Sequence, residues 1–376
     1  MAILAPDRRI HGLDTLRACA IVLVLLHHYR LFVHGGVGFG ALGEVGWIGV
    51  DLFFALSGYL IGNQIFSAMR SEAGFSVSGF YLRRALRTLP NFWVVLALYW
   101  LWPALREGAP AAPLWRYLSF TLNIGLVPPA AFSHAWSLCI EEQFYLLLPA
   151  LAMLAWASRM PRRAAWSLLA LTVAGSALAR AAGWDAWHAG GAADVRGYFE
   201  GVYYASLCRL DELVAGVALA LLKNCHPAAW QRATRHGVAW LAGGAALCAL
   251  AIAMFLHDRF GLPATLVGFP VLGLGFGMLL LSALSERGPL ARVKVPGARS
   301  LALWSYAIYL THRIVFTVTA DLLKQRGVAP DSVGATVIMM ALAVLAGWLL
   351  YRVVETPFMA LRARWAPPAA LPAAAR

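Results

Sequence analysis

Residues 237–256 read GVAWLAGGAALCALAIAMFL, twenty consecutive positions without a charged side chain. An α-helix rises about 1.5 Å per residue, so this segment is long enough to cross the roughly 30 Å hydrocarbon core of a bilayer. A helix on the surface of a soluble protein needs a polar face, and this stretch offers none. The segment therefore predicts a membrane-spanning helix.

Similar apolar runs recur along the chain and predict an all-α protein, a polytopic transmembrane helical bundle of about ten spanning helices. We place the spans at residues 13–33, 45–66, 90–105, 134–157, 164–182, 203–222, 237–256, 262–284, 301–322 and 333–354. Residues 114–127 are apolar but short, and Pro128 and Pro129 follow them. We expect a re-entrant or interfacial segment there.

The composition excludes an ordinary soluble enzyme, because 61% of the 376 residues are hydrophobic and only 13% are charged. Soluble domains are roughly 45–50% apolar and about 25% charged. The partner indicated is the lipid bilayer and not a nucleic acid, even though the net charge is +13, since basic residues of membrane proteins collect in cytoplasmic loops. The five cysteines form no CxxC pair, so we predict neither a disulfide framework nor a metal site.

The basic residues also predict the orientation of the chain in the membrane. With both termini in the cytoplasm, 20 of the 31 Lys and Arg residues fall in inside segments and eight in outside segments. This asymmetry predicts a multi-pass protein of the inner (plasma) membrane with both termini cytoplasmic.

Ionisable side chains within spans cost roughly 2.5–3.5 kcal/mol each on insertion and usually face a cavity or a partner. The first span carries Arg17 and His28, which lie on nearly one helix face because they are eleven residues apart. His27 points about a quarter-turn away. A cation and an imidazole on one stripe suit a long anionic substrate; the alternative is that Arg17 snorkels and both histidines lie at the outer interface.

The second span contains Asp51 near its start and Ser57 beside Gly58 and Gly62. The small residues predict a face for close helix packing. Ser57 is not in a GxSxG turn, so packing is the simpler role for it.

The fourth span contains Glu141 and Glu142 with Tyr145 nearby. A buried carboxylate can orient a histidine or act as a general base. The alternative is an ion pair between helices, with Arg17, Arg209 or Arg313.

Three further features concern charged or titratable side chains elsewhere in the chain. Arg84 and Arg87 lie three residues apart in the predicted loop FYLRRALRTLP and could bind a phosphate together, although a plain cytoplasmic anchor is the alternative. We expect Arg209 to be neutralised by Asp211 or Glu212, its near neighbours in sequence. His312 lies in the middle of a predicted helix, where a structural explanation is harder to find.

In chain order these residues resemble the type-3 membrane acyltransferase family, which includes lipopolysaccharide and exopolysaccharide O-acetyltransferases. The matching elements are R-x10-H at Arg17 and His28, FFxLSG at residues 53–58, RxxR at Arg84 and Arg87, WSLxxEEQFYL at residues 136–146, YxxYLxH at residues 306–312 and VExP at residues 354–357. Six elements in the family order extend the resemblance over nearly the whole chain.

The resemblance implies a membrane acyltransferase domain over residues 10–357, followed by a short Pro/Ala-rich cytoplasmic tail at residues 358–376. It implies an enzyme that transfers an acyl group, usually acetyl, from cytoplasmic acetyl-CoA or another acyl-CoA to a hydroxyl of a carbohydrate or glycolipid. Together with the ionisable residues within the spans, the resemblance predicts catalytic roles for His28 and Glu141, donor binding by Arg17, Arg84 and Arg87, and substrate or supporting roles for Asp51, Ser57, Tyr145 and His312.

Under this hypothesis His28 deprotonates the acceptor hydroxyl, and Glu141 orients the imidazole or shares its proton. A covalent acyl-histidine intermediate is an alternative route. Two other functions stay open, a proton-coupled transporter of a sugar or lipid and a non-catalytic scaffold for polysaccharide export. The predicted phosphate clamp favours the transferase, because a transporter has no need for one.

Overall fold

The computed structural model describes residues 10–35, 38–72, 74–191, 194–286 and 288–365. These residues form helices and connecting turns without a strand, which confirms the all-α prediction. The last eleven residues of the predicted tail, 366–376, lie outside the described residues.

The described residues form sixteen α-helices in chain order. They are α1 His11–Phe32, α2 Gly40–Val45, α3 Ile48–Met69, α4 Val77–Leu101, α5 Leu114–Leu118, α6 Trp136–Ala157, α7 Arg162–Ala189, α8 Val195–Tyr198, α9 Asp211–Cys225, α10 Pro227–Ala233, α11 Gly237–His257, α12 Phe269–Leu284, α13 Pro289–Arg292, α14 Ala298–Gln325, α15 Val333–Leu350 and α16 Thr356–Trp365.

Within the described ranges, eight helices are long and apolar enough to span a membrane, or nine if α9 and α10 form one span bent by 117°. The polytopic bundle is therefore confirmed, with one or two fewer candidate spans than predicted. Residues 114–127 contain only the short helix α5 and turns, which fits the expectation that this segment does not span.

The predicted span at residues 90–105 and the arginine-rich loop before it are one helix, α4. Pro90 lies inside α4 instead of opening a new span. A proline removes one backbone hydrogen bond, and here the helix continues because buried Phe80 and Phe92 anchor it on both sides of Pro90. Arg84 and Arg87 are consequently held on a rigid helix and not on a loop.

The predicted span at residues 203–222 is also different in the structure. Its first part is broken into short turns, Phe199–Tyr203 and Ser206–Arg209, and the regular helix α9 begins only at Asp211. Arg209 therefore lies at the end of a turn, where its side chain points into the bundle and is fully buried.

The small-residue face of α3 packs against α9 as the sequence predicts. A methyl group added at Gly58 would overlap the backbone carbonyl of Leu213, and one added at Gly216 would overlap the backbone of α3 at Ala55. Glycines at such positions let two helix backbones approach closely. The contact fixes α3, and with it the side chain of Ser57.

Two buried ion pairs cross the centre of the bundle. Arg209 pairs with Asp51, and Arg180 pairs with Asp211. The prediction that Arg209 is neutralised by Asp211 or Glu212 is therefore wrong, since Asp211 pairs instead with Arg180 of α7. The partners are chosen by helix packing across the bundle, which sequence proximity does not reveal.

Candidate active site

A cavity of about 1030 Å³ lies between α1, α3, α4, α6, α14 and α16. This volume is at the upper end of the roughly 300–1,000 Å³ of typical ligand pockets. Its exposed lining residues include Gly74, Ser78 and Trp365, which mark the opening near the start of α4 and the end of α16. Its buried lining residues include Ser137 and Tyr309, which mark the inner end.

The cavity carries an excess of positive charge. Its carboxylates are those of Glu141 and Glu142, and its guanidinium groups belong to Arg17, Arg83, Arg84, Arg87 and Arg362. In the described part of the chain, none of the ion pairs involves these five arginines. Guanidinium groups without a carboxylate partner at a cavity wall favour an anionic ligand.

Arg84 is positioned by an aromatic contact. Its guanidinium carbon lies 4.0 Å from the ring centroid of Tyr145, a cation–π geometry. The Nε atom of Arg84 is buried and has no hydrogen-bond partner among the described residues. The stacking orients the guanidinium while leaving hydrogen-bonding capacity for a ligand.

Ser57, Glu141 and Tyr145 form a hydrogen-bonded chain at the cavity wall. The hydroxyl of Tyr145 donates to Ser57 Oγ at 3.0 Å, and Ser57 Oγ donates to Glu141 Oε1 at 2.7 Å. Ser57 is therefore more than a packing residue, since its hydroxyl lies on the cavity and fixes the Glu141 carboxylate.

Three histidines cluster deeper in the bundle. His28 Nδ1 lies 2.9 Å from His312 Nε2, and the ring of His134 lies 5.2 Å from that of His312 and 6.4 Å from that of His28, centroid to centroid. His134 and His312 are buried, whereas His28 is half-buried. No group of three or more His, Cys, Asp or Glu side chains in the described ranges is arranged to hold a metal ion.

A thin partition separates the cavity from this histidine cluster. Tyr309 and Ser137 both line the cavity, and the Tyr309 ring packs 5.7 Å from His134 and 5.8 Å from His312. One layer of side chains therefore lies between the arginine-lined cavity and the imidazoles.

Helix α1 connects the two regions. It is continuous from His11 to Phe32, so Arg17 and His28 lie about 16 Å apart along its axis, with Arg17 on the cavity and His28 in the histidine cluster. His27 points elsewhere, with Nδ1 donating to the backbone carbonyl of Gly43 at 2.9 Å. The predicted difference in direction between the two histidines is thus present in the structure.

The expected contact between Glu141 and His28 is not what the structure shows. His28 is hydrogen-bonded to His312, and Glu141 accepts from Ser57. Glu141 lies one turn beyond Ser137 on α6, on the cavity side of the partition. The alternative of an ion pair from Glu141 to Arg17, Arg209 or Arg313 is wrong as well for the described residues, where no ion pair involves Glu141 or Arg17, Arg209 pairs with Asp51, and Arg313 pairs with Glu107.

Asp51 also lies apart from the predicted substrate-binding residues. It is fully buried in its ion pair with Arg209 and does not line the cavity. Any support that Asp51 gives to the site passes through the packing of α3.

Sequence reasoning missed several side chains that the structure brings to the site. Arg362 extends the arginine set, and Ser137 and Tyr309 form the partition. A signal was present, because positions 134, 137, 141 and 145 follow the three- and four-residue spacing of one helix face. Positions 305, 309 and 312 do the same on α14.

Comparison with protein families matches residues 10–352 to a family described as an acyltransferase domain. The chain belongs to this family. It is 26% identical over 373 residues to the peptidoglycan O-acetyltransferase OatA of Listeria monocytogenes, covering 92% of this chain and 55% of the relative. The resemblance inferred from the six sequence elements is therefore confirmed.

Two further relatives of this family member have related names. The putative peptidoglycan O-acetyltransferase YrhL of Bacillus subtilis is 28% identical over 275 residues, 67% of this chain and 40% of the relative. The O-acetyltransferase OatA of Staphylococcus aureus is 32% identical over 158 residues, 38% of this chain and 24% of the relative. The chain spans about half the length, or less, of the curated relatives it matches. No solved structure matches it.

Proposed function

We propose that this protein is an integral-membrane O-acyltransferase that moves an acyl group, acetyl in the first instance, from cytoplasmic acyl-CoA to a hydroxyl of a carbohydrate or glycolipid. The observation that carries the proposal is the placement of an arginine-lined cavity one side-chain layer away from a histidine cluster. The family membership supports the same reaction class.

The donor end follows from the charge of the cavity. Coenzyme A carries phosphates at one end of a long flexible arm and the thioester at the other. Arg84 and Arg87 project from the same face of α4 and are suited to bind phosphate oxygens. The arm would then extend past Arg17 towards Ser57 and Glu141, which places the thioester near the partition.

The reaction needs a base on the far side of the thioester, and His28 is that base in our proposal. The imidazole accepts the proton of the acceptor hydroxyl as the acceptor oxygen bonds to the acyl carbon. The carbon–sulfur bond breaks, and the coenzyme A thiolate leaves and recovers that proton. Glu141, held by Ser57, lies on the donor side, where it would position the thioester end and not the imidazole.

The acceptor is proposed from chemistry that the relatives share. Two of them are named peptidoglycan O-acetyltransferases, so a glycan strand of peptidoglycan is the first acceptor to test.

We also propose that the protein lies in the inner membrane with both termini in the cytoplasm. In support, residues 74–83 and 362–365, both assigned to the inside by charge, meet at one cavity mouth.

The test is acyl transfer by the purified full chain in lipid nanodiscs, with radiolabelled acetyl-CoA and a panel of peptidoglycan fragments and lipid-linked saccharides. We expect an alkali-labile ester on a saccharide, and loss of that ester in Arg84→Ala/Arg87→Ala protein. Arg162→Ala, which removes an exposed arginine outside the cavity, is the matched control. Protein that binds coenzyme A but labels no saccharide, or that carries sugars into proteoliposomes without acyl-CoA, would overturn the proposal.

A further inference from the structure

The hydrogen bonds around His312 determine which of its nitrogens carries the proton. His312 Nδ1 lies 3.2 Å from the backbone carbonyl oxygen of Ile308, one turn earlier in α14. A carbonyl oxygen only accepts hydrogen bonds, so Nδ1 of His312 must be the donor. In a neutral imidazole the other nitrogen, Nε2, then has a lone pair and no hydrogen.

Among the described residues, no carboxylate forms a hydrogen bond or an ion pair with His28, His134 or His312, so His312 is neutral in this arrangement. The carboxylate of Glu107, beside Arg313, accepts instead from Arg313 Nε at 3.4 Å and from Thr317 Oγ1 at 2.7 Å. Arg313 is itself 5% exposed and lies on the neighbouring position of α14. An imidazolium at His312 would be a second buried cation beside Arg313, and unlike Arg313 it would have no carboxylate partner among the described residues.

The nitrogen that carries the proton in His312 determines which nitrogen carries the proton in His28. His28 Nδ1 lies 2.9 Å from the lone pair of His312 Nε2, so His28 Nδ1 must carry the hydrogen and donate it. The lone pair of His28 is then on Nε2, which has no hydrogen-bond partner among the described residues. His134 does not alter this, since its Nε2 faces the backbone carbonyl of Leu310 at 3.4 Å.

We propose that His312 is a positioning residue which holds His28 in the Nδ1–H tautomer, so that Nε2 of His28 is the atom that accepts the proton of the acceptor hydroxyl. This inference rests on the proposed function and names the reacting atom within it. The bond made by one imidazole nitrogen fixes the role of the other, and the backbone of α14 supplies that bond through Ile308.

The spectroscopic test is ¹⁵N NMR of the full chain in nanodiscs with ¹⁵N-labelled histidine, the His28 signals being assigned by their loss in His28→Asn. We expect His28 with a protonated Nδ1 and an unprotonated Nε2. His312→Phe should abolish this preference, and His312→Gln should restore it, because an amide oxygen can accept from His28 Nδ1. Thr311→Val is the matched control, since it removes an equivalent bond to the carbonyl of Ala307 on the same helix.

The kinetic test separates positioning from folding. His312→Phe should lower kcat by about 10²–10⁴-fold with little change in KM for acyl-CoA, the range expected when a catalytic base loses its correct tautomer. His312→Gln should recover part of that loss, and Thr311→Val should stay near the parent protein.

Three results would overturn the inference: an Nε2–H tautomer of His28, an imidazolium at either histidine at neutral pH, or an unchanged His28 tautomer in His312→Phe. The spectra require no turnover. A protein with the expected tautomer but no transferase activity would therefore contradict the proposed function and leave the tautomer assignment intact. An active enzyme with the other tautomer of His28 would contradict the tautomer assignment and leave the proposed function intact.

Discussion

The hydroxyl of Tyr309 donates a hydrogen bond of 2.7 Å to the backbone carbonyl of His134. Because its single hydrogen is used there, the 2.7 Å contact with Ser137 Oγ must be a bond that Ser137 donates. Tyr309 lies on α14 and His134 just before α6, so this bond joins the two helices at the inner end of the cavity. The partition between the cavity and the histidine cluster is thus held by hydrogen bonds.

Removing the Tyr309 ring should open this partition. We expect Tyr309→Ala to hydrolyse acyl-CoA without acceptor, because water would reach the thioester from the histidine side. Tyr309→Phe keeps the ring and loses only the hydroxyl, at about 1 kcal/mol for the hydrogen bond, so it should remain coupled. Release of free coenzyme A thiol, compared with ester formed on the acceptor, measures the difference; equal coupling in both variants would contradict a partition role.

The arginines on α4 should act on the donor and not on the acceptor. Arg84→Ala and Arg87→Ala should each raise the KM for acyl-CoA, since a lost charge-assisted contact costs about 1.5–3 kcal/mol, or roughly 10- to 150-fold. The KM for the acceptor should change little. Steady-state kinetics at saturating acceptor check this, with Arg162→Ala as control. Unchanged donor kinetics in abundant protein would leave the pair as a membrane anchor.

The sequence predicted the elements of this fold better than their connections. Long apolar runs identify helices such as α11 because a spanning helix must satisfy its backbone internally and present apolar side chains to lipid. Pro90 is typical of a helix boundary, but in α4 the packing of buried Phe80 and Phe92 on both sides outweighs this local preference. Local rules of this kind carry no information about which buried surfaces will hold a helix together.

In the candidate site, too, local features were predictable from the sequence and contacts between helices were not. The eleven-residue spacing of Arg17 and His28 on one continuous helix is a local property, and the structure has it. The partner of Arg209 is Asp51, far away in sequence, and the partner of His28 is His312, on α14. Those pairings depend on which helices pack against each other. Local patterns in a single sequence do not determine that arrangement.

The buried pair of Arg209 and Asp51 should be important for stability. Arg209→Ala leaves the Asp51 carboxylate buried without its partner, and breaking such a pair typically costs about 3–5 kcal/mol. We expect a large fall in the thermal midpoint in detergent. Glu212→Gln, which replaces a buried carboxyl that has no partner among the described residues, should cost much less. Equal destabilisation by both variants would argue against the ion pair as the main contribution.

The two ends of the molecule should be accessible from opposite sides of the membrane. In a variant lacking the native cysteines, Ser78→Cys, exposed at the cavity mouth, should react with a membrane-impermeant thiol reagent only from the cytoplasm. Ala329→Cys, exposed between α14 and α15, should react only from outside. Right-side-out and inverted vesicles provide the comparison. Labelling of residue 78 in intact cells would reverse the proposed topology.

His28, and not His27, should be the catalytic base. The two histidines are adjacent in α1 and lie at similar depth, so the direction in which each side chain points distinguishes them. On an α-helix eleven residues bring His28 within about 20° of the Arg17 face, whereas ten leave His27 about 80° away. The hydrogen bonds agree, since His28 contacts His312 and His27 contacts the backbone of Gly43.

His28→Ala should therefore lower turnover by at least about two orders of magnitude, the usual contribution of a general base being about 10²–10⁴-fold, while acyl-CoA still binds. His27→Ala should cost much less, mainly through packing around α2. Glu141→Gln, which weakens the acceptor for Ser57, should reduce donor use more than proton transfer. Turnover normalised to membrane abundance, with coenzyme A binding measured in parallel, checks all three. If His27→Ala is inactive and His28→Ala retains activity, the geometric assignment of the base is wrong, and the lone pair that accepts the hydroxyl proton belongs to a different imidazole.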